Sequence, residues 1–140
     1  MGAARDVLLD TGPLVAILDA RDQWHSRCLA GWHDGVTRCV TTEAGVAEAC
    51  HLILRGGAPA HLPLDLLLAA EIPIMTLPAA GHQRVKSLMA RYAAVPMDYA
   101  DATLVALAEA LAVRTAFTTD RRGFATYRLA RRQSFVLLPG

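Results

Sequence analysis

The chain has 140 residues and a mass of 15.0 kDa, enough for one domain over 1–140 and too little for two. Hydrophobic residues make up 54% of it and charged residues 19%, which excludes a disordered chain or a coiled coil. The net charge is +1, and no apolar run approaches the roughly 18 residues of a membrane span, so neither a global basic field nor a bilayer anchor defines it.

Val7-Leu8-Leu9 predicts a short buried strand ending at Asp10-Thr11-Gly12-Pro13. Pro13 suits the first turn of a helix, with Thr11 or Gly12 as its cap, and Leu14–Leu18 continues it. His25–Trp32 predicts a second helix and Arg38–Val40 a second strand. Thr41-Thr42-Glu43 then opens a helix through about Leu54, closed by Gly56-Gly57. Leu62–Ala70 predicts a further helix, Ile72–Leu77 a strand and Pro78–Tyr92 a helix. After Pro96, Asp98–Leu111 is a regular helical pattern; Arg114–Thr118 predicts a strand, Asp120–Arg122 a turn and Ser134–Leu138 a last strand. Strands alternating with helices imply an α/β domain with a mainly parallel sheet. Such sheets bind ligands beyond the carboxyl ends of their strands, which draws attention to Asp10 and Asp120, each just past a predicted strand.

Cys28, Cys39 and Cys50 are an odd number in a chain whose start (Met1–Asp6) has no charged-then-apolar leader. They are read as reduced, buried small hydrophobes in a cytoplasmic protein, since zinc sites use closer pairs. No two of His25, His33, His51, His61 and His82 have metal-ligand spacing. Lys86 is the one lysine among 14 cationic residues, and Arg114, Arg121, Arg122, Arg128, Arg131 and Arg132 face a single acid, Asp120, in the last stretch. That end is either a phosphate-binding surface or a solvated arginine face.

The acids separate by pattern. Asp10 either projects into the crevice or caps the next helix. Asp98 reads as an N-cap, with Asp101 three residues on completing a capping arrangement. At 100° per residue, however, Asp101 flanks the apolar stripe of Ala100, Leu104, Leu107 and Leu111 and leans inward. Glu43 is a first-turn acid suited to the helix dipole. Glu48 lies opposite the apolar face of Val46, Ala49, Cys50 and Ile53, and periodicity alone does not select it.

Four segments together resemble the PIN domain, specifically the VapC-type toxin ribonucleases. They are Leu8-Leu9-Asp10-Thr11-Gly12-Pro13-Leu14-Val15-Ala16, Thr42-Glu43-Ala44-Gly45-Val46-Ala47-Glu48-Ala49, Met97-Asp98-Tyr99-Ala100-Asp101-Ala102-Thr103-Leu104-Val105-Ala106-Leu107-Ala108 and Phe117-Thr118-Thr119-Asp120-Arg121-Arg122-Gly123-Phe124. Each is weak alone; their order and spacing cover nearly the whole chain. The resemblance implies a three-layer α/β/α fold. It also implies an acidic site of Asp10, Glu48, Asp101 and Asp120 binding Mg²⁺ or Mn²⁺, with Asp98, Thr11 and Thr118 or Thr119 in support. Here it decides for Glu48. The chain departs from the pattern at Gly123, where a polar or acidic residue often precedes the Phe.

Hard divalent cations prefer oxygen ligands, and several carboxylates brought together ionise fully only beside a cation. Such an ion activates water and stabilises charge on phosphoryl oxygens. The resemblance therefore implies a metal-dependent endoribonuclease, the toxin of a type II toxin–antitoxin pair, leaving 5′-phosphate and 3′-hydroxyl ends. Arg121 and Arg122, beside Asp120, are the expected phosphate contacts. Single-stranded or loop RNA is the expected substrate, with Trp24, Trp32 and Tyr99 as stacking platforms unless they serve the core or a dimer surface. A small antitoxin and a homodimer are the implied partners, and the apolar Leu62–Ala70 segment is the interface candidate. Two rivals remain at this point. One is a PIN-like scaffold without catalysis. The other is a retroviral-type aspartic protease, suggested by Asp10-Thr11-Gly12, which requires an all-β fold.

Overall fold

The structure, a computed structural model, describes residues 5–140; the reading of Met1–Asp6 as lacking a leader therefore falls partly outside the described residues. Among these, five strands and seven helices follow one another as β1 (Val7–Leu9), α1 (Thr11–Leu18), α2 (His25–Gly35), β2 (Cys39–Thr42), α3 (Glu43–Arg55), α4 (Leu62–Ala69), β3 (Ile74–Met75), α5 (Ala79–Arg91), α6 (Tyr99–Leu111), β4 (Thr115–Phe117), α7 (Arg121–Thr126) and β5 (Val136–Leu138). The strands form one sheet in the order β3-β2-β1-β4-β5, with every neighbouring pair parallel.

The strands are short and almost wholly apolar because helices cover both faces. Side chains alternate across the sheet. Val7, Leu9, Cys39 and Phe117 enter one core, with Leu14, Cys28, Trp32, Val46, Ala49 and Leu67 from α1–α4. Leu8, Val40 and Ala116 enter the other, with Val85, Leu88, Leu104, Leu107 and Phe124 from α5–α7. The result is a three-layer α/β/α domain. The Asp-Thr-Gly run sits where β1 passes into α1, not in a β fold, which removes the aspartic-protease reading.

The chain leaves β1 for β2 and β3 on one side, then crosses to β4 and β5 on the other. The crevice between the carboxyl ends of β1 and β4 is thus a topological switch point. Asp10 emerges from β1 there, and Thr118-Thr119-Asp120 emerges from β4.

Several boundaries differ from the sequence expectation for identifiable reasons. The second strand is shifted from Arg38–Val40 to Cys39–Thr42, because Arg38 closes a 3-10 turn over Val36–Arg38. Thr41 is held in the ladder by its amide to Pro73 O (3.1 Å) and its hydroxyl to Leu9 O (2.9 Å). The first helix already includes Thr11 and Gly12, the expected caps, and Asp10 takes the cap position instead. The expected turn at Asp120–Arg122 is instead the start of α7, with Asp120 as its N-cap. The cysteines are free, Cys28 and Cys39 buried and Cys50 half-buried; burial pushes the Cys28 and Cys39 thiols up to about 11. In α4, Pro63 and Leu67 are buried, whereas Leu64 and Leu68 stay exposed, Leu68 at 67%. Among the described residues no helix is long and apolar enough to cross a membrane.

Candidate active site

A cleft of about 330 Å³ opens at the switch point and is lined by Asp10, Glu48, Asp98, Asp101 and Asp120, with Thr11 and Thr119 beside them. These side chains come from the ends of two strands and from two helices, far apart in sequence.

Asp10 is only 5% exposed. It occupies the N-cap position of α1 but makes no side-chain capping hydrogen bond, so its carboxylate is turned to the cleft rather than to the helix. Its amide donates to Phe117 O (3.0 Å), continuing the β1–β4 pairing. Its Oδ2 accepts from Thr118 Oγ1 at 2.7 Å. That hydroxyl in turn accepts from the Asp120 amide at 2.9 Å. One fully buried threonine therefore fixes the positions of the first and fourth acids. Burial pushes the Asp10 carboxyl up to about 6; the Thr118 hydroxyl opposes this, and the charges of Glu48 and Asp120 add to it.

Glu48 lies on the side of α3 away from the Val46–Ala49–Ile53 face buried against the sheet. Thr11 Oγ1 lies 3.2 Å from Gly45 O and 3.3 Å from Glu48 Oε2, so its single proton is shared between the helix backbone and the carboxylate. Burial raises the Glu48 carboxyl above its ordinary range, and the Asp98 charge adds to it.

Asp98 and Asp101 form a reciprocal capping box at the start of α6. Asp98 Oδ1 accepts from the Asp101 amide (2.8 Å), and Asp101 Oδ2 accepts from the Asp98 amide (3.2 Å). The capping expectation and the inward lean of Asp101 thus hold together, since one carboxylate does both. Burial, followed by the charges of Asp10 and Asp98, pushes Asp101 up to about 8. The two acid-bearing helices are locked to each other below the cleft. Thr103 Oγ1 donates to Ala100 O (2.7 Å), so it accepts from Thr42 Oγ1 (2.9 Å), the hydroxyl that caps α3 through the Gly45 amide (3.2 Å).

Asp120 is exposed at the rim, and its Oδ1 accepts from the Gly123 amide (3.0 Å). This explains the glycine that departs from the family pattern. A Cβ at position 123 would collide with Asp120 Oδ2 and crowd the Tyr127 hydroxyl. A Cβ at Gly12 would likewise meet Thr119 Oγ1, so that side chain would have to turn aside. Tyr127, fully buried, donates its hydroxyl to Asp101 Oδ2 at 3.4 Å. Burial, reinforced by the Asp101 charge, holds that phenol well above its ordinary range. Sequence reasoning missed Tyr127. Asp120 and Tyr127 flank α7 as its N-cap and C-cap rather than lying within it, so no helical periodicity links them in the sequence.

Charge in the cleft has one sign. The ion pairs among the described residues lie elsewhere, at Arg21–Asp19, Arg38–Asp6, His61–Asp65 and Arg84–Glu109. No three His, Cys, Asp or Glu side chains among the described residues converge tightly enough to enclose an ion as they stand. Hydrated Mg²⁺ does not require that, since it uses one or two direct carboxylates and keeps several waters. An all-oxygen donor set, buried at one end and without a compensating cation, fits a hard divalent ion held partly through water.

The arginines divide. Arg121 Nη2 donates to Pro139 O, and its guanidinium lies 5.1 Å from the Trp24 ring centroid. Arg27 lies over the same ring at 4.3 Å and donates to Gly140 O (3.0 Å). Arg121 and Trp24, expected at RNA, are thus engaged with each other, and Arg121 also with the last strand's exit. Arg128 Nη1 is taken by the carbonyls of Ala125, Thr126 and Tyr127. Arg131 lies with Arg114 at the opposite, amino end of β4, so neither lines the cleft. Arg122 remains exposed beside Asp120.

The fold and the acidic cleft at its switch point define the class: the PIN domain profile matches residues 7–129, and the chain belongs to the PIN domain family. Among solved structures it is similar to the crystal structure of Mycobacterium tuberculosis VapC20, described as a sarcin-ricin loop cleaving toxin. The TM-score is 0.75 at 18% sequence identity, over 86% of this chain and 95% of that one. None of the curated proteins matches this chain in sequence.

Proposed function

We propose that this chain is a metal-dependent endoribonuclease of the VapC type, the toxin of a type II toxin–antitoxin pair. The observation that carries the reading is the meeting of Asp10, Glu48, Asp98, Asp101 and Asp120 in one cleft with no basic partner. A non-catalytic scaffold has no need to hold that many uncompensated carboxylates together.

In this reading Asp10, Glu48, Asp101 and Asp120 hold Mg²⁺ or Mn²⁺. Bound there, the ion supplies Lewis acidity, activating a water and offsetting charge on the phosphoryl oxygens. The protein's own work is positional. Thr118 holds Asp10 and the Asp120 backbone, Thr11 holds Glu48, and Tyr127 and Asp98 hold Asp101. Thr119 packs against Gly12 at the mouth. Arg122, rather than Arg121, contacts a flanking phosphate. Hydrolysis adds water across the P–O3′ bond; the oxygen goes to phosphorus and a proton to the departing 3′-oxygen, giving 5′-phosphate and 3′-hydroxyl ends.

The similarity to a toxin that cuts an RNA loop supports a single-stranded or loop RNA substrate. The same similarity supports a small antitoxin partner and a cytoplasmic site of action. The exposed Leu64 and Leu68 of α4 support a homodimer through that helix. The deciding experiment is cleavage-site mapping on total cellular RNA, with and without Mg²⁺, for wild type and Asp101→Asn. Cutting that needs the metal and is lost in the variant is the expected result; equal cutting by both proteins rejects the mechanism.

A further inference from the structure

A second cavity, of about 310 Å³, opens on the other side of the first turn of α6. This is the lower end of the roughly 300–1,000 Å³ of small-ligand sites. Its floor includes Met75 and Leu77, and its walls carry Thr42, Glu43, Thr76, His82 and Tyr99. Thr42 and Met75 are the last residues of β2 and β3, so the cavity faces the same carboxyl edge of the sheet as the acidic cleft. Consecutive residues line the two: Asp98 the cleft and Tyr99 the cavity.

The lining chemistry narrows the occupant. No lysine or arginine contributes to the wall, which makes it a poor phosphate site. Tyr99 is 48% exposed, more than any other aromatic among the described residues; Trp32 is in the core and Trp24 lies under two guanidinium groups. Any base offers a π-face to such a ring. Glu43 Oε2 accepts from Thr76 Oγ1 at 3.3 Å, which leaves Oε1 and the second lone pair of Oε2 to accept from a ligand. A carboxylate accepts two parallel hydrogen bonds. Guanine presents adjacent N1–H and N2–H donors on one edge; adenine, cytosine and uracil place an acceptor beside their single donor group.

We propose that this cavity is a nucleobase subsite of the cleft, in which a guanine next to the scissile phosphate stacks on Tyr99 and pairs with the Glu43 carboxylate. The inference rests on the ribonuclease reading for its substrate class, and it adds the base-selecting residues.

The test is calorimetric titration of the full chain with GMP, AMP, CMP and UMP in EDTA, where no cleavage occurs, alongside cleavage-site mapping in Mg²⁺. Wild type is expected to bind GMP about tenfold tighter than the other three. Tyr99→Ala loses that binding by about tenfold or more, whereas Tyr99→Phe, which keeps the ring, retains it. Glu43→Gln levels the four affinities, and cleavage by this variant loses its guanine preference beside the cut. Equal GMP binding by wild type and Tyr99→Ala, or no base preference in wild type, overturns the subsite while leaving metal-dependent cleavage standing. Selective GMP binding without any RNA cleavage keeps the subsite and overturns the nuclease reading instead.

Discussion

Thr118 Oγ1 donates to Asp10 Oδ2 at 2.7 Å, joining the exits of β4 and β1 through one buried hydroxyl that also receives the Asp120 amide. Thr118→Val keeps the shape and removes both bonds. It leaves a buried carboxylate without its donor and an amide without its acceptor, at a cost of about 1–3 kcal/mol. Loss of a group that orients a metal-binding side chain typically lowers metal affinity or activity about 10–100-fold. Thr118→Ser is expected to restore most of both. Urea unfolding and RNA cleavage on the three proteins check this; wild-type behaviour of Thr118→Val rejects the role.

Crowded acids make the metal-free protein sensitive to pH in a defined direction. Asp10 is pushed from the ordinary 3.8 up to about 6, and Asp101 up to about 8, both chiefly by burial. The folded state therefore holds these protons more tightly than the unfolded chain. Their contribution to stability is complete below about pH 4 and is lost as pH rises through 6 and on through 8. The melting temperature in EDTA should fall between pH 5 and pH 8.5, and Mn²⁺ should recover it at the upper end by neutralising the same carboxylates. Asp10→Asn removes the cost of ionisation at that site, worth about 3 kcal/mol at alkaline pH. It should melt higher than wild type in EDTA at pH 8.5 and gain little from Mn²⁺. A melting temperature that rises with pH in EDTA contradicts this account.

Gly123→Ala probes the one departure from the family pattern. A methyl group at this position meets Asp120 Oδ2 and the Tyr127 hydroxyl. Either the carboxylate swings away and the cap of α7 is lost, or Tyr127 withdraws from Asp101. Overpacking of this kind costs about 1–3 kcal/mol, and the displaced acid should weaken Mn²⁺ binding. Calorimetric titration with Mn²⁺ and thermal melting measure the two effects. An alanine variant with unchanged stability and metal affinity means that the glycine has no such role.

Local patterns made the layers legible. Val7-Leu8-Leu9 is apolar throughout because both faces of β1 are covered, and Asp98 with Asp101 marks the start of α6 by a capping box whose partners are three residues apart. The site was harder to see. Glu48 faces a cleft rather than a core, so no apolar periodicity points to it, and only the resemblance selected it. The engagement of Arg121 is not legible in the sequence, because Trp24 and Pro139 are distant along the chain and meet it only in the folded protein. The helix at Arg121–Thr126 is not legible because a single glycine and two arginines mask its short apolar pattern, and its cap comes from Asp120.

That division between the neighbouring arginines is itself testable. Arg122 is exposed beside Asp120, whereas Arg121 stacks on Trp24 and holds the Pro139 carbonyl. Arg122→Ala should weaken RNA binding across sequences and reduce the slope of log affinity against log salt by about 0.7, the share of one phosphate contact on a single strand. Its melting temperature should stay near wild type. Arg121→Ala should do the reverse, lowering stability by about 1 kcal/mol through the lost cation–π and hydrogen-bond contacts with little change in the salt slope. Fluorescence anisotropy with a labelled single-stranded RNA in Ca²⁺, run at several salt concentrations, reads the first effect, and thermal melting reads the second. If Arg121→Ala changes the salt slope and Arg122→Ala does not, the phosphate contact belongs to Arg121 and its packing against Trp24 must open when RNA binds.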